Sequence, residues 1–300
     1  MTFPTPAGDK PDRGNQGRIL CGAASWSAKS LVHESRWYPR RSMKAAERMA
    51  YYAERFPLVE IDATARFPPT PDLSRQWAER TPPGFLIDVQ AWSLLTGAAT
   101  LPDSLWEDLR EEVRPELRDR RRLYAGHLTP TGMREAWDRF RHALLPLHEA
   151  GRLGAVVLRY PHWLKPGDTG RSLLATARRR LPDFHLVVEF GNLGWLDATC
   201  CEETLEFLEE VGLGLCCLDG EGIPPVTATT SDVAMVRFLG RNPDVWDCDY
   251  RYEVEELEAW VPRLRALAEG ADEVHVLFAN TWRDLAVTNA AEMQELLSRP

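Results

Sequence analysis

Long apolar runs are missing from this chain of 300 residues, which excludes a protein that crosses a membrane with helices. The first residues, MTFPTPAGDKPDRGNQG, contain no apolar core and are therefore not predicted to be an export signal. Residues 1–17 are therefore predicted to be a disordered tail, and those before about Gln16 are predicted to pack against nothing. The protein is predicted to be soluble and cytoplasmic, with no membrane partner.

Motifs that bind nucleotides and metals are absent too. No G-x-G-x-x-G follows a predicted strand and no G-x-x-x-x-G-K-[ST] occurs, which excludes the usual dinucleotide and P-loop sites. Histidine is nearly absent from the predicted strand ends, whereas a multi-zinc site needs several histidines. The sequence therefore predicts no cofactor and no metal centre.

The six cysteines lack the spacing of a metal site or of a disulfide framework. Cys200–Cys201 and Cys216–Cys217 are adjacent pairs, and neighbours on a strand point to opposite faces. We interpret these cysteines as reduced structural thiols, which are typical of the cytosol.

Composition is that of an ordinary globular protein, with 44% hydrophobic and 27% charged residues. The net charge of −9 makes nucleic acid an unfavourable partner, although a local basic groove is compatible with an acidic total. We expect a small-molecule ligand, and the sequence leaves the oligomeric state open.

Eight short apolar segments recur along the chain with helical patterns between them. Segments that are apolar on both faces are typical of parallel strands covered by helices, and eight of them favour a closed barrel. The predicted fold is a single TIM-type (β/α)8 barrel of the α/β class over residues 18–300. The predicted strands are Arg18–Ala23, Leu58–Asp62, Phe85–Gln90, Ala155–Tyr160, His185–Phe190, Leu213–Leu218, Val233–Leu239 and Val274–Asn280.

One predicted connection is longer than a barrel requires. Over sixty residues separate the third predicted strand from the fourth. The surplus, about Leu101–Leu128, has the pattern of a charged helix that Pro115 kinks or breaks. Its basic run Arg118–Arg122 has two interpretations: a phosphate-binding cluster, or, as such runs more often are, a solvated helix face paired with its own glutamates.

Charged and polar side chains come at the carboxyl ends of the predicted strands, where TIM barrels place their sites. Glu60 and Glu189 are the stronger catalytic candidates because each ends an otherwise apolar strand, and Asp219 is the third. Their positions at strand ends and their alternation predict one shared cavity at the mouth, formed by Glu60, Glu189, Asp219, Arg159 and Arg237. The predicted ligand-binding residues are Trp26, Arg159, Trp195, Arg237, Arg241 and Asn280.

Two interpretations of this set stay open. Burying several charges is costly unless they pair, so the set could be a self-satisfied ion network that closes the barrel. Alternatively, Glu60 and Glu189 in unequal environments could act as acid and base, with the predicted arginines holding an anionic group. Trp26 and Trp195 could stack on a sugar or a base, although tryptophans of this kind are more often packed in a core or rim.

Several short motifs occur in the order found in a known family. The chain has CGAASWS, RWYP, MAYYAERFPLVEID and WAERTPPGF, followed by RF…LLPL…GRLGAVVLRYP. VVEF…W, VRFLGR and F-A-N…A…NA complete the series. Each motif is weak alone, but together they resemble the DUF72 (YecE-like) family from about Ile19 to Leu297. The resemblance implies a TIM barrel and implies no particular reaction.

The chain departs from the family pattern at the strand ends. Gln90 stands where the resemblance implies a lysine, and Arg159 stands where it implies a glutamine. Histidines of the family pattern are also replaced, for example by Gly97 and Asn192. These replacements add a barrel without catalytic activity to the functional hypotheses.

Three functions are consistent with the sequence. The first is a hydrolase or lyase acting on a small anionic or sugar-like substrate, and the second is a degenerate barrel that binds an anionic ligand. A nucleic-acid-processing barrel is the third and is disfavoured. Arg159 favours the degenerate, anion-binding barrel. A guanidinium should hold a neighbouring carboxylate ionised and lower its pKa, and such a carboxylate is a poor general acid near neutral pH. Arg159→Gln is expected to cost about 3 kcal/mol if it leaves a buried carboxylate unpaired.

Overall fold

Eight parallel strands form a closed barrel in the order in which they occur in the chain. The computed structural model describes residues 16–242 and 248–299. The predicted barrel is confirmed, and each predicted strand overlaps an observed one. The strands are β1 (Arg18–Ala23), β2 (Leu58–Ile61), β3 (Leu86–Gln90), β4 (Leu153–Tyr160), β5 (Leu186–Phe190), β6 (Gly214–Gly220), β7 (Val233–Gly240) and β8 (Glu273–Phe278).

Helices follow most of the strands and cover the outside of the barrel. The longest, α5, begins where the Thr129 hydroxyl accepts a hydrogen bond from the Gly132 amide at 3.0 Å, with Pro130 in its first turn. The helices are α1 (Lys29–His33), α2 (Ala45–Ala53), α3 (Pro71–Glu79), α4 (Glu107–Glu111), α5 (Pro130–Glu149), α6 (Asp168–Arg180), α7 (Cys201–Val211), α8 (Val254–Glu258), α9 (Val261–Gly270) and α10 (Leu285–Ser298).

The connection between β6 and β7, residues 221–232, is fully described and contains no helix. Consecutive prolines, Pro224 and Pro225, disfavour one there because proline lacks the amide that a helix interior needs. The segment returns along the wall instead: the Thr230 hydroxyl donates to the Leu213 carbonyl at 2.7 Å. A non-helical segment therefore takes the place of one covering helix.

The long connection after β3 is folded, but the predicted charged helix over residues 101–128 is wrong in its extent. All of these residues are described, and α4 is their only α-helix, with short 3-10 turns around it. Two isolated β-bridges, Thr100 with Leu123 and Val113 with Leu128, hold the segment together. Pro115 interrupts any continuous helix in this segment, because proline lacks the amide that a helix interior needs, and it begins a 3-10 turn instead.

The predicted tail, residues 1–17, lies outside the described residues except for Gln16 and Gly17. The Gly17 amide donates to the carbonyl of Ala268 at 2.8 Å, so contacts with the barrel already include Gly17. Within the described ranges, no helix combines the length and the apolar character needed to cross a membrane.

Alternate side chains of the strands fill the interior of the barrel. An interior apolar cluster is separate from the larger cluster that joins the outer face of the wall to the helices. Charged groups lie towards both ends of this apolar layer. The interior cluster comprises Leu20, Leu58, Leu86, Ala155, Val157, Val187, Cys216, Leu218, Val233, Met235 and Leu277.

At the amino-terminal end, four side chains form what we call the floor network: Asp88, His275, Glu273 and Arg18. His275 is fully buried, and its Nδ1 lies 3.0 Å from both carboxylate oxygens of Asp88. Its Nε2 lies 3.1 Å from Glu273 Oε2, and Glu273 pairs in turn with the more exposed Arg18. Asp88 also accepts a hydrogen bond from the Ala155 amide at 2.8 Å.

The floor network keeps His275 protonated at neutral pH. Burial by itself would lower the pKa of this imidazole, but Asp88 and Glu273 outweigh burial and raise the pKa to about 9. The hydrogen bond from His275 is the main reason that the pKa of Glu273 is lowered to about 2. A buried cation between two carboxylates therefore contributes to the stability of the barrel.

We expect the stability of the protein to fall at alkaline pH because of His275. An unfolded histidine has a pKa of about 6.5, so the stabilisation is complete below that pH. It is lost as the pH rises through the folded pKa of about 9. The loss is expected to be about 3 kcal/mol in the free energy of unfolding. Urea unfolding between about pH 6 and pH 10 measures it. His275→Gln should lack this component, and an equal alkaline loss in both proteins would contradict the prediction.

Candidate functional site

A chain of ion pairs crosses the barrel interior at the carboxyl ends of the strands. Glu60 of β2 and Arg237 of β7 have only 0% and 2% of their side chains exposed. Arg237 donates from Nη1 to Glu60 Oε1 at 3.1 Å, and from Nη2 to Oε2. Gln90 of β3 donates from Nε2 to Glu60 Oε1 at 2.7 Å. The buried Glu60 carboxylate therefore has three donors.

The second carboxylate, Glu189 of β5, lies between two guanidiniums. Its Oε2 is 2.7 Å from Nε of Arg237, and its Oε1 is 2.7 Å from Nε of Arg159. The contact with Arg237 is an ion pair without hydrogen-bond geometry, since neither of its two atoms has a hydrogen-bond partner among the described residues. We call Arg159, Glu189, Arg237, Glu60 and Gln90 the mouth network.

Barrel closure explains how these side chains meet. Arg159 and Glu189 are register partners on the neighbouring strands β4 and β5. Strands β2 and β7 are not neighbours, because β8 and β1 lie between them, so Arg237 reaches Glu60 across the interior. The planar guanidinium of arginine carries several donors, which allows Arg237 to pair with two carboxylates at once.

The pKa values of the two carboxylates are shifted in opposite directions. Burial raises the pKa of Glu60, and Arg237 and Gln90 oppose this only in part. Burial acts on Glu189 as well, but Arg237 and Arg159 outweigh it and hold the pKa of Glu189 below its usual value. The expectation that Arg159 lies against a carboxylate and keeps it ionised is thereby confirmed.

Asp219 does not lie in the mouth network. It lies one residue before the end of β6, but it faces outward, because the preceding Leu218 belongs to the interior cluster. Its carboxylate accepts hydrogen bonds from the Tyr252 hydroxyl and from Trp260 Nε1, each at 2.8 Å. The prediction that Asp219 shares a cavity with Glu60 is therefore wrong.

Arg241 and Asn280 also lie outside the barrel interior. Arg241 pairs with Asp219 through Nε at 3.0 Å and Nη2 at 2.8 Å. Asn280 donates from Nδ2 to the Tyr250 carbonyl at 2.8 Å and to Asn289 Oδ1 at 2.9 Å. These contacts join the segment after β7, the segment after β8 and α10, so the structure does not bring Arg241 and Asn280 together with Glu60.

Both candidate tryptophans are packed in the protein. Trp195 is fully buried, its Nε1 donates to the Leu164 carbonyl at 2.9 Å, and its ring stacks on Phe190 with centroids 4.8 Å apart. Trp26 is 8% exposed, and its carbonyl accepts a hydrogen bond from the Tyr38 hydroxyl. Of the two interpretations left open for these residues, the structure supports core packing.

Three exposed aromatic side chains at the mouth were not candidates from the sequence. Phe67 follows β2, Trp163 follows β4 and Trp282 follows β8, with 51%, 47% and 38% of each residue exposed. Segments after parallel strands all lie at the carboxyl end of a barrel. We call these three residues the aromatic rim. Their positions after strand ends were readable in the sequence, but their exposure was not.

Metal-binding groups are not evident in the ranges that the structure describes. No three His, Cys, Asp or Glu side chains converge there in a way that could hold a metal ion. Each carboxylate of the mouth network is already engaged by a guanidinium, which competes with a cation for the same oxygens. The mouth therefore presents ion pairs and hydrogen-bond donors to a ligand.

Comparison with known proteins agrees with this architecture. The family model "Protein of unknown function DUF72" matches residues 20–300. The chain belongs to the DUF72 family. A curated relative, the UPF0759 protein YunF of Bacillus subtilis, is 26% identical over a match that covers 93% of this chain and 94% of the relative.

Two solved DUF72 structures have the same fold. The DUF72 protein of Enterococcus faecalis matches with a TM-score of 0.72 and 21% identity, over 95% of this chain and 99% of that one. The DUF72 protein of Thermotoga maritima matches with a TM-score of 0.72 and 23% identity, over 94% of this chain and 100% of that one. At these identities the likeness concerns the fold alone.

Two departures from the DUF72 pattern meet in the mouth network. The resemblance implies a lysine at Gln90 and a glutamine at Arg159, so by that pattern a positive charge is lost on β3 and another is gained on β4. Gln90 still donates to Glu60, and Arg159 pairs with Glu189. Two guanidiniums therefore face two carboxylates.

Arg237→Gln is expected to destabilise the protein far more than Arg159→Gln. The first change leaves Glu60 and Glu189 buried without their shared guanidinium, which costs about 3–5 kcal/mol. The second change leaves Glu189 with Arg237, and Arg159 is half exposed, so we expect about 1 kcal/mol or less. Urea unfolding of both variants beside the parent measures the difference. Equal losses in the two variants would contradict this account of the network.

Proposed function

We propose that this DUF72 protein binds a small anionic compound at the mouth of its barrel, with Arg159 holding the anionic group. One observation carries the proposal: the Arg159 side chain is 53% exposed, whereas Glu60, Glu189 and Arg237 are at most 4% exposed. Among the described residues, Glu189 is its ion-pair partner, through Nε. A ligand carboxylate or phosphate would accept hydrogen bonds from Nη1 and Nη2 of Arg159.

The buried part of the network prepares Arg159 for binding. Glu189 orients the Arg159 guanidinium, Arg237 pairs with Glu189, and Glu60 in turn holds Arg237. A guanidinium that is already oriented loses less conformational entropy when a ligand arrives. Arginine is also always protonated, so its charge persists over the whole physiological pH range.

The aromatic rim supports a ligand with a ring as well as an anionic group. Small-molecule sites combine flat, largely apolar surfaces with a few oriented polar groups. Phe67, Trp163 and Trp282 supply such surfaces at the end of the barrel that carries Arg159. A sugar acid has this combination, with a carboxylate for Arg159 and a ring face for an aromatic side chain.

A hydrolase or lyase reaction is the second candidate. It is favoured by the opposite pKa shifts of Glu60, which is raised, and Glu189, which is lowered, because acid–base chemistry needs carboxyl groups of unequal pKa. Both side chains are buried and paired, so a substrate would first have to displace Arg159 from Glu189. Binding without turnover requires no such displacement, and we therefore place it first.

The remaining alternatives are weaker. Nucleic-acid processing is opposed by the net charge of −9. We also propose a cytoplasmic location. It is supported by the free thiols of Cys21, Cys200, Cys201, Cys216 and Cys217, because reducing compartments keep thiols in that form.

A thermal-shift comparison of glucuronate with glucose tests the binding proposal. We expect glucuronate to raise the melting temperature of the parent protein and glucose to have little effect, because only glucuronate offers a carboxylate to Arg159. Arg159→Gln should weaken glucuronate binding about tenfold or more, the loss of one charge-assisted pair. Arg75→Gln, which removes an exposed arginine from α3, is the matched control. Equal weakening by both changes, or an equal response to both sugars, would count against the proposal.

Turnover of an aryl glucuronide distinguishes the second candidate. If the protein only binds, release of the aryl group should not exceed that in buffer, with or without added Mg²⁺. Release that Glu60→Gln abolishes would show a hydrolase and would reverse the order of the two proposals.

A further inference from the structure

We propose a second ligand site, lined by none of the mouth-network residues, that takes a small phosphorylated compound with a flat ring. It lies in the connection between β3 and α5, where a cavity of about 620 Å³ opens to solvent. Cavities of roughly 300–1,000 Å³ are typical of small-molecule sites. The residues that line it are Asp119, Arg120, Arg121, Arg122, Tyr124 and His127.

The charge of this cavity is positive. Arg120, Arg121 and Arg122 are exposed, and within the described ranges none of them forms an ion pair. The sequence interpretation in which glutamates neutralise the basic run therefore does not hold for these three residues. Asp119 is the acidic lining residue, so three positive charges face one negative charge in a protein whose net charge is −9.

Arg118 has a different role from its three neighbours. Its Nε donates to the Val113 carbonyl at 3.1 Å, and its Nη2 donates to the Glu111 carbonyl at 2.8 Å. Arg118 thus stabilises the turn that precedes Arg120, Arg121 and Arg122. The bridge between Thr100 and Leu123, with both hydrogen bonds at 2.9 Å, fixes the end of the basic run.

Tyr124 adds a ring surface to the cavity. It is 37% exposed, and the His127 ring packs against it edge-on at 5.4 Å between centroids. The His127 contact holds the Tyr124 ring in place beside the arginines, where a planar group of a ligand can contact it.

These features select the chemistry of the ligand. Arginine forks match phosphate oxygens in bidentate pairs, and several of them together favour a doubly charged group such as a diphosphate. The exposed Tyr124 ring can stack on a planar base. Asp119 repels phosphate but accepts hydrogen bonds from hydroxyl or amino groups. A nucleoside diphosphate has all three kinds of group.

Calorimetric titration with ADP and with pyrophosphate at low ionic strength tests the site. We expect saturable binding of ADP. Arg120→Gln/Arg121→Gln should weaken it about tenfold or more, which corresponds to about 1.4 kcal/mol, because two of the cations that face the phosphates are removed. The matched control is Arg179→Gln/Arg180→Gln, which removes the same charge from another arginine run on α6. This control should stay within about twofold of the parent.

Two further variants complete the test. Tyr124→Ala should weaken binding of ADP and leave binding of pyrophosphate unchanged, because only ADP carries a ring. Arg159→Gln should leave ADP binding unchanged, which separates this site from the mouth. The proposal is overturned if the parent shows no saturable binding up to about 5 mM ADP. It is also overturned if both double variants weaken binding equally, if Tyr124→Ala affects both ligands alike, or if Arg159→Gln abolishes binding.

Discussion

Burying a guanidinium removes several kcal/mol of hydration, and Arg237 is buried almost completely at the centre of the barrel. Glu60 and Glu189 compensate for that loss, but each of these carboxylates is buried as well and needs donors of its own. Gln90 supplies one for Glu60, and Arg159 supplies a second cation for Glu189. The chain of alternating guanidiniums and carboxylates ends only at Arg159, which is half exposed to solvent. The charge that faces the mouth is therefore a consequence of the charge buried beneath it.

The two ends of the barrel solve the problem of buried charge with different chemistry. The mouth uses guanidiniums, which stay protonated at every physiological pH. The floor network uses an imidazole, His275, whose pKa of about 9 depends on the carboxylates beside it. Alkaline pH can therefore deprotonate His275 and weaken the floor network, while the cations of the mouth network keep their charge. Stability and ligand binding at the mouth are expected to respond differently to pH for this reason.

The mouth network is also the reason that we place binding before catalysis for this DUF72 chain. A carboxylate flanked by two guanidiniums is a poor proton donor near neutral pH, and Glu189 is flanked in this way. The resemblance implies a lysine at Gln90 on β3 and a glutamine at Arg159 on β4. By that pattern one cation is lost and another, a guanidinium, is gained beside Glu189 at a position that solvent reaches.

Local sequence patterns determined the barrel itself, because short apolar segments separated by helices bury their surface well only as covered parallel strands. They also indicated Glu60, Glu189, Arg159 and Arg237, since a charged residue that ends an apolar strand lies at the mouth. Alternation told which residues share a face, but not which face points inward. The tertiary structure alone decided that Asp219 and Asn280 face the helices, because the inward face of each strand depends on its register and tilt in the closed barrel. It likewise decided the pairing of His275 with Asp88, whose residues lie on strands far apart in the chain and meet only when the barrel closes.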